Sequence, residues 1–578
     1  MPGRESKSKR RKPPQVVEGP RVQAAPVELK QRSPLRFIER HRVALLLVLL
    51  VAGSARIVST YWVFSHTRDE PGHIASGVDL LARGIYQFDP QHPPLTRIAV
   101  GLGPYMAGVQ PPKPGKIGDA WIVSESREFL YSQGKYEQTL VLARLGNLPF
   151  FWISCVVVYL WGRRYFDPAT GVLAVFLLSF FPPLLGHAGL ATTDMGCAAM
   201  LGAAFLAACV FMEEPSPRQA AAFGLCGGLA ILSKFSVLAY FPASAAAALV
   251  WYAAVERPQP RQIVQAVKLR APLMALAALI ACLVVWAGYR FSFAHGVPAP
   301  EFWGGIRHVA AHNAEGHRSY LLGQARRFGF WYFFPVVIAV KTPIAFLALT
   351  GAGIWLAVRG RVGRRAWLPV AYAGGILAVA MSSHINIGLR HILPMYMGLA
   401  APAAAAATHA WSLANPPKWI RVAVPLLLLW LAVSSLASHP DYLAYFNELA
   451  GSQPENILVD SDLDWGQDVS RLGRRLQALG VYEVTFMPGD DIQFGIQPGF
   501  EGITVNQNMA SVPTSGWNAV GLTVLKTDRL GLLDTHPELT LWPNVIPPTE
   551  RVGKSILLWY FPPGGSVPTI PFPSRQGR

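Results

Sequence analysis

Eleven predominantly apolar stretches constrain this chain more than any other feature. With a window of about 19 residues they run 44–64, 139–161, 168–186, 194–212, 218–233, 235–255, 271–291, 338–358, 366–383, 391–411 and 419–438. About 20 apolar residues match the hydrocarbon thickness of a bilayer, and backbone groups there must be satisfied within the segment, so each is expected to be a helix. The fifth is short and could form a tight hairpin with the sixth around Ser233 and Lys234. The expected fold is a polytopic α-helical membrane protein with about eleven transmembrane helices. Composition agrees, since 52% of the 578 residues are hydrophobic and only 15% are charged, too apolar for one soluble domain.

The net charge of +17 does not point to nucleic acid. Much of it lies in residues 1–42, a Pro-rich tail containing KSKRRK (Lys7 to Lys12) that is expected to be structureless and cytoplasmic, facing an anionic leaflet. Arg163 and Arg164, then Arg257, Arg261, Lys268 and Arg270, then Arg359, Arg361, Arg364 and Arg365, then Lys418 and Arg421 fall on the same side as that tail. The positive-inside rule then puts the N-terminus inside and everything from about residue 440 outside. No cleavable signal peptide is evident, so the expected location is the plasma (inner) membrane. The five cysteines all lie in apolar segments and indicate neither disulfides nor metal.

On the expected outer face, residues 67–96 read TRDEPGHIASGVDLLARGIYQFDPQHPPLT. Adjacent acids at the end of a membrane helix are costly beside hydrocarbon, so Asp69 and Glu70 are expected to face a polar cavity or substrate. Capping of a helix that starts at Pro71 is the alternative. Residues 65–138 are too long for a connector, and Ile74, Val78 and Leu81 at helical spacing suggest one or two helices on the membrane surface. From about residue 440 the texture changes. Apolar runs at 457–459, 481–487, 519–525 and 556–561 around a helix-like 469–479 indicate a small α/β domain, with βαβ order.

Asp69, Glu70 and His73 can converge on one point if a helix starts near Pro71. Such a cluster could take a proton or hold a divalent metal, though a dense ligand motif is lacking. Asp194 opens the fourth span on the same face, as an N-cap or a substrate contact. Arg144, Lys341 and Arg390 supply positive charge, and the guanidinium fork of Arg144 and Arg390 suits a phosphate. Arg56 and Arg290 are expected to snorkel to headgroups. His92 is a further candidate substrate or metal contact. Acids and cations together suggest a reaction in which a lipid-linked phosphate leaves and a hydroxyl attacks, the cations stabilising the phosphate and a carboxylate removing the proton. In DSDLDWGQD, Asp460, Asp462 and Asp464 alternate like a calcium loop, but Gly466 is one position late and the twelfth position is Arg471, so the pattern fails. A strand-to-helix turn capped by Asp464 or Asp468 stands beside acceptor or glycan binding for that segment.

The DE pair at Asp69 and Glu70, the acid at Asp194, ARL at Ala143 to Leu145, KTP at Lys341 to Pro343 and IGLRHILP at Ile387 to Pro394 together resemble the GT-C glycosyltransferases. The branch they resemble is the protein O-mannosyltransferase-like, phospholipid-carrier-dependent one. YLAYFNELAG (Tyr442 to Gly451) and DSDLDWGQD are similar to the tail of bacterial members. The resemblance implies inverting transfer of a sugar from a polyprenyl-phosphate donor to an acceptor hydroxyl on a glycan, lipid or protein at the outer face. It implies Asp69 as general base, Glu70 and Asp194 on the acceptor side and Arg144 near the donor phosphate, and it leaves a metal open. Lys341 and Arg390 match its motifs, and a phosphate-binding role for them is inferred. A transporter or flippase of lipid-linked or anionic substrates is the main alternative, and that class expects inverted repeats and ionisable groups near the midplane. A non-catalytic subunit that keeps the fold is the third.

Overall fold

The computed structural model describes residues 33–84, 86, 88–113, 119–363, 365–488, 492, 494–507, 513–528 and 541–564. Each of the eleven apolar stretches contains a helix. Among the described residues, five helical segments are long and apolar enough to cross a membrane: Tyr136–Tyr165, Asp194–Glu213, Val237–Glu256, Pro260–Gly288 and Lys418–Ala437. Three bent pairs raise the number to as many as eight. Pro34–Arg40 meets Arg42–Val58 at 79°, Pro168–Ser179 meets Pro182–Ala188 at 70°, and Phe333–Lys341 meets Ile344–Val358 at 115°. Pro182, and Pro343 just before the second helix of its pair, stand at two of these breaks, where a missing N–H and a fixed φ stop one helix and start the next. The break at residue 41 corrects the reading of residues 1–42 as one structureless tail, since Ser33–Arg40 is helical. Residues 1–32, and Arg364, lie outside the described residues.

Lipid is as apolar as a leucine side chain, so membrane helices associate by close packing rather than by escape from water. Small residues set the approach. A Cβ on Gly353 would stand 1.9 Å from the Pro402 carbonyl oxygen, and one on Gly162 would stand 2.5 Å from Gly171 Cα. The alanines from Ala403 to Ala407 are all buried. Arg56 does not snorkel. It reaches inward to the Tyr442 hydroxyl (2.9 Å), the Ser435 hydroxyl (2.6 Å) and the Ser179 carbonyl (3.3 Å), tying the first span to two others.

Between the first and second spans lie three helices, where one or two were expected: Glu70–Arg83, Pro94–Met106 and Asp119–Ser132. Pro94 occupies the first turn of its helix, so HPPL begins an element as well as turning the chain. The first two cross so closely that a Cβ on Gly77 would lie 2.0 Å from the Arg97 carbonyl oxygen.

Towards the C-terminus, helix Val469–Ala478 packs on a five-stranded sheet ordered 504–506, 483–487, 516–521, 556–561, 550–552. Strand 483–487 runs parallel to both neighbours, and 516–521 and 556–561 pair antiparallel. Residues 457–459 are not a strand, because short 3-10 turns at Pro454–Asn456 and Asp460–Asp462 flank them. The βαβ unit expected around the helix is therefore not formed, and the parallel pairs involve later strands. Leu472, Leu476, Val484, Phe486 and Leu558 form the core of this unit.

Candidate active site

Four charged side chains from four separate segments meet in one cluster. Asp69, at the N-cap position of helix Glu70–Arg83, makes no side-chain cap; its Oδ2 accepts from Arg390 at 2.6 Å. Arg390 comes from the 3-10 turn Leu389–His391, and its guanidinium also lies 4.0 Å from Asp194 Oδ2. Asp194 opens its helix, and its Oδ1 accepts from Lys234 Nζ at 2.6 Å. Lys234 follows the end of helix Pro217–Ser233, which packs on Pro260–Gly288 rather than on Val237–Glu256, so the tight hairpin expected around Ser233 and Lys234 is not formed. Asp194 and Arg390 are buried, whereas the Asp69 side chain retains 31% of its exposure, so this acid is the accessible edge of the cluster. Burial by itself raises the Asp69 carboxyl, but the Arg390 charge and hydrogen bond outweigh it and hold the pKa below the usual carboxylate range.

Trp465, from DSDLDWGQD, lays its ring 4.2 Å from the Arg390 guanidinium carbon. The segment is held there by backbone bonds, with Ser65 N donating to Gln467 O at 3.0 Å and Arg68 N to Trp465 O at 3.1 Å. Asp462 Oδ1 accepts from the Leu389 amide at 3.0 Å, so the same segment also fixes the turn that carries Arg390. The remaining acids face the α/β unit. Asp464 accepts from the Thr523 amide at 2.8 Å, and burial pushes its carboxyl up to about 6. Asp468 sits at the N-cap position of Val469–Ala478 but accepts from Lys554 N, Ser555 N and the Ser555 hydroxyl instead of capping the helix. Asp460 takes a positive φ of 57° and accepts from the Ser461 amide.

Glu70 and Arg144 form a second, fully buried pair. Arg144 Nε and one terminal nitrogen donate to the two Glu70 oxygens, both at 2.9 Å. Its other N–H groups reach the carbonyls of Tyr61, Phe64 and Ser65. A guanidinium has five N–H donors, and all five are taken, so this arrangement leaves none for a phosphate. Glu70 also accepts from the amides of Thr67 and Ala191, each at 2.8 Å. Lys341 is likewise committed, donating to the carbonyls of Leu443 (2.8 Å) and Asp462 (2.5 Å) and lying over the Phe446 ring.

His73 and His92 stand edge to face, with ring centroids 4.9 Å apart. His73 Nδ1 accepts from Arg97 Nε at 3.2 Å, and His92 Nδ1 lies 3.3 Å from the Thr193 hydroxyl. Burial, with the Arg97 charge, lowers the His73 pKa to about 4. Among the described residues no group of three or more His, Cys, Asp or Glu side chains is placed to hold a metal ion, so these side chains do not fit the metal that the resemblance left open. Lys234 and Trp465 had no expected role. The signal for Lys234 was a lone cation between two apolar helices; for Trp465 it was only an aromatic residue inside an acidic motif.

Fold and site define a multi-pass helical membrane protein with a carboxylate and cation cluster at its helix ends. Residues 137–287 match the family model for dolichyl-phosphate-mannose-protein mannosyltransferase. No curated protein sequence matches the chain. Among solved structures, ArnT from Cupriavidus metallidurans bound to undecaprenyl phosphate is similar at 13% identity and a TM-score of 0.48, over 89% of this chain and 97% of that one. The Archaeoglobus fulgidus oligosaccharyltransferase tethered to an acceptor peptide is similar at 11% identity and a TM-score of 0.45, over 82% and 64% respectively. The same organism's AglB, in complex with an inhibitory peptide and a dolichol-phosphate, is similar at 12% identity and a TM-score of 0.43, over 84% and 70%.

Proposed function

We propose that this chain is a GT-C-type membrane glycosyltransferase that moves a sugar from a polyprenyl-phosphate carrier to an acceptor hydroxyl with inversion. The observation that carries this reading is the Asp69–Arg390–Asp194–Lys234 cluster, and the mannosyltransferase family match over residues 137–287 supports it. Asp69 takes the proton of the attacking hydroxyl. That oxygen bonds to the anomeric carbon as the carbon–phosphate oxygen bond breaks, and the electron pair leaves on the phosphate. Arg390 and Lys234 stabilise the charge that grows there.

The cluster is neutral as it stands, with two carboxylates facing two cations. An arriving phosphate competes for Arg390 and adds negative charge, and both effects raise the proton affinity of Asp69. The base therefore strengthens when donor is present. Glu70 and Arg144 position the helix carrying Asp69, and Lys341 with Asp462 positions the turn carrying Arg390. The cluster is assigned to the extracytoplasmic face, with residues from about 440 on the same side, on the charge asymmetry of the loops.

Deletion of the gene tests the reading in cells. A polyprenyl-phosphate-linked sugar should accumulate and disappear when the wild-type chain is restored, and unchanged levels of every such lipid would contradict the proposal.

A further inference from the structure

We infer that His73 is a fixed neutral hydrogen-bond donor to a hydroxyl of the sugar carried by the lipid donor. The inference rests on the function proposed above and names a contact within that site.

His73 lies one helical turn beyond Asp69, and its amide donates to the Asp69 carbonyl at 3.2 Å. The ring is buried, at 4% exposure. Its Nδ1 faces Arg97 Nε, which can only donate, so Nδ1 must carry a lone pair. Arg97 cannot turn away, because its terminal nitrogens are held by the Tyr86 hydroxyl (2.8 Å), the Asp89 carbonyl (2.6 Å) and the Asp89 carboxylate. An imidazolium would set N–H against N–H at this contact, so the ring is neutral with its proton on Nε2. Burial and the Arg97 charge, which lower the His73 pKa, act in the same direction.

Nε2–H has no hydrogen-bond partner among the described residues, and Nε2 is not one of the buried polar atoms left without one, so it opens on space that a ligand can reach. His73 stands one helical turn from Asp69 and packs edge to face on His92, whose Nδ1 lies 3.3 Å from the hydroxyl of Thr193, the residue before Asp194, so this donor belongs beside the proposed reaction centre. Its chemistry complements the cations. Arg390 and Lys234 suit the anionic phosphate, whereas a neutral N–H adds no charge and suits an uncharged hydroxyl oxygen. Histidine thereby serves here as a donor and leaves the base role to Asp69.

Binding of two probes to the purified full-length protein tests the inference without an acceptor: undecaprenyl-phosphate mannose, and undecaprenyl phosphate lacking the sugar. His73→Ala should weaken the sugar-bearing probe by about tenfold, the size of one hydrogen bond, and leave the sugar-free lipid unchanged. His73→Gln places an amide N–H near the position of Nε2 and should recover most of the loss, whereas the shorter His73→Asn should not. Unchanged affinity for the sugar-bearing probe in His73→Ala would overturn the inference, as would an equal loss for both probes. Wild-type protein that binds neither probe would instead overturn the donor reading on which the contact rests.

Discussion

Asp69 and Arg390 hold each other in a geometry that makes a measurable claim about pH. Arg390 is the main influence lowering the Asp69 pKa against the effect of burial. A base works only when deprotonated, so activity should be lost as pH falls through the Asp69 pKa. Arg390→Gln removes the lowering charge, and the acid limb of the kcat/KM profile should move to higher pH in addition to any loss of rate. An unmoved limb would show that Asp69 does not set it. The His73 ring makes a second claim at this scale. With its pKa at about 4, nitrogen NMR of the labelled protein should show a neutral, Nε2-protonated ring from pH about 5 to about 8, where an ordinary histidine titrates. The acids were legible in the sequence because adjacent carboxylates at a span end are anomalous. Lys234 was not, since a cation between apolar helices reads equally as a turn until Asp194 is seen 2.6 Å away.

At the scale of elements, the Glu70–Arg144 pair joins helix Glu70–Arg83 to helix Tyr136–Leu145. Removing one partner from a buried ion pair strands a charge and costs about 3–5 kcal/mol, whereas replacing both by apolar groups can be close to neutral. Glu70→Gln and Arg144→Met alone should each lower the melting temperature sharply, and Glu70→Leu with Arg144→Met should recover much of the loss; thermal unfolding in detergent measures both. Gly77 is the second test. Any Cβ there meets the Arg97 backbone at 2.0 Å, so Gly77→Ala should push apart the helices carrying His73 and Arg97 and lower stability and donor binding together. Hydropathy located the helices of the membrane region, because apolar runs in lipid have little alternative to helix. It did not anticipate every break, although Pro182 and Pro343 were visible signals. Residues 457–459 failed as a strand because an apolar triplet does not reveal whether a sheet edge is available to pair with it. The partner of Arg144 was equally hidden, since pairing across 74 residues is decided by packing.

For the whole molecule, the C-terminal segment and the membrane region form the site jointly. Lys341 grips the carbonyls of Leu443 and Asp462, and Trp465 covers Arg390. Lys341→Met should loosen this docking, seen as faster proteolysis between residues 439 and 468 and a loss of transfer, while Trp465→Phe should retain more activity than Trp465→Ala. The central claim is that Asp69 removes the acceptor proton during transfer from a polyprenyl-phosphate sugar. Its most direct test is the rate of transfer from radiolabelled donor in membranes holding equal amounts of wild-type or Asp69→Asn protein. The account predicts a fall of about 10²–10⁴-fold, the usual worth of a general base, with a smaller drop in melting temperature than Glu70→Gln, because Asp69 is partly exposed and Arg390 keeps Asp194. A rate within about twofold of wild type, against an uncertainty far smaller than the effect of a general base, would contradict it.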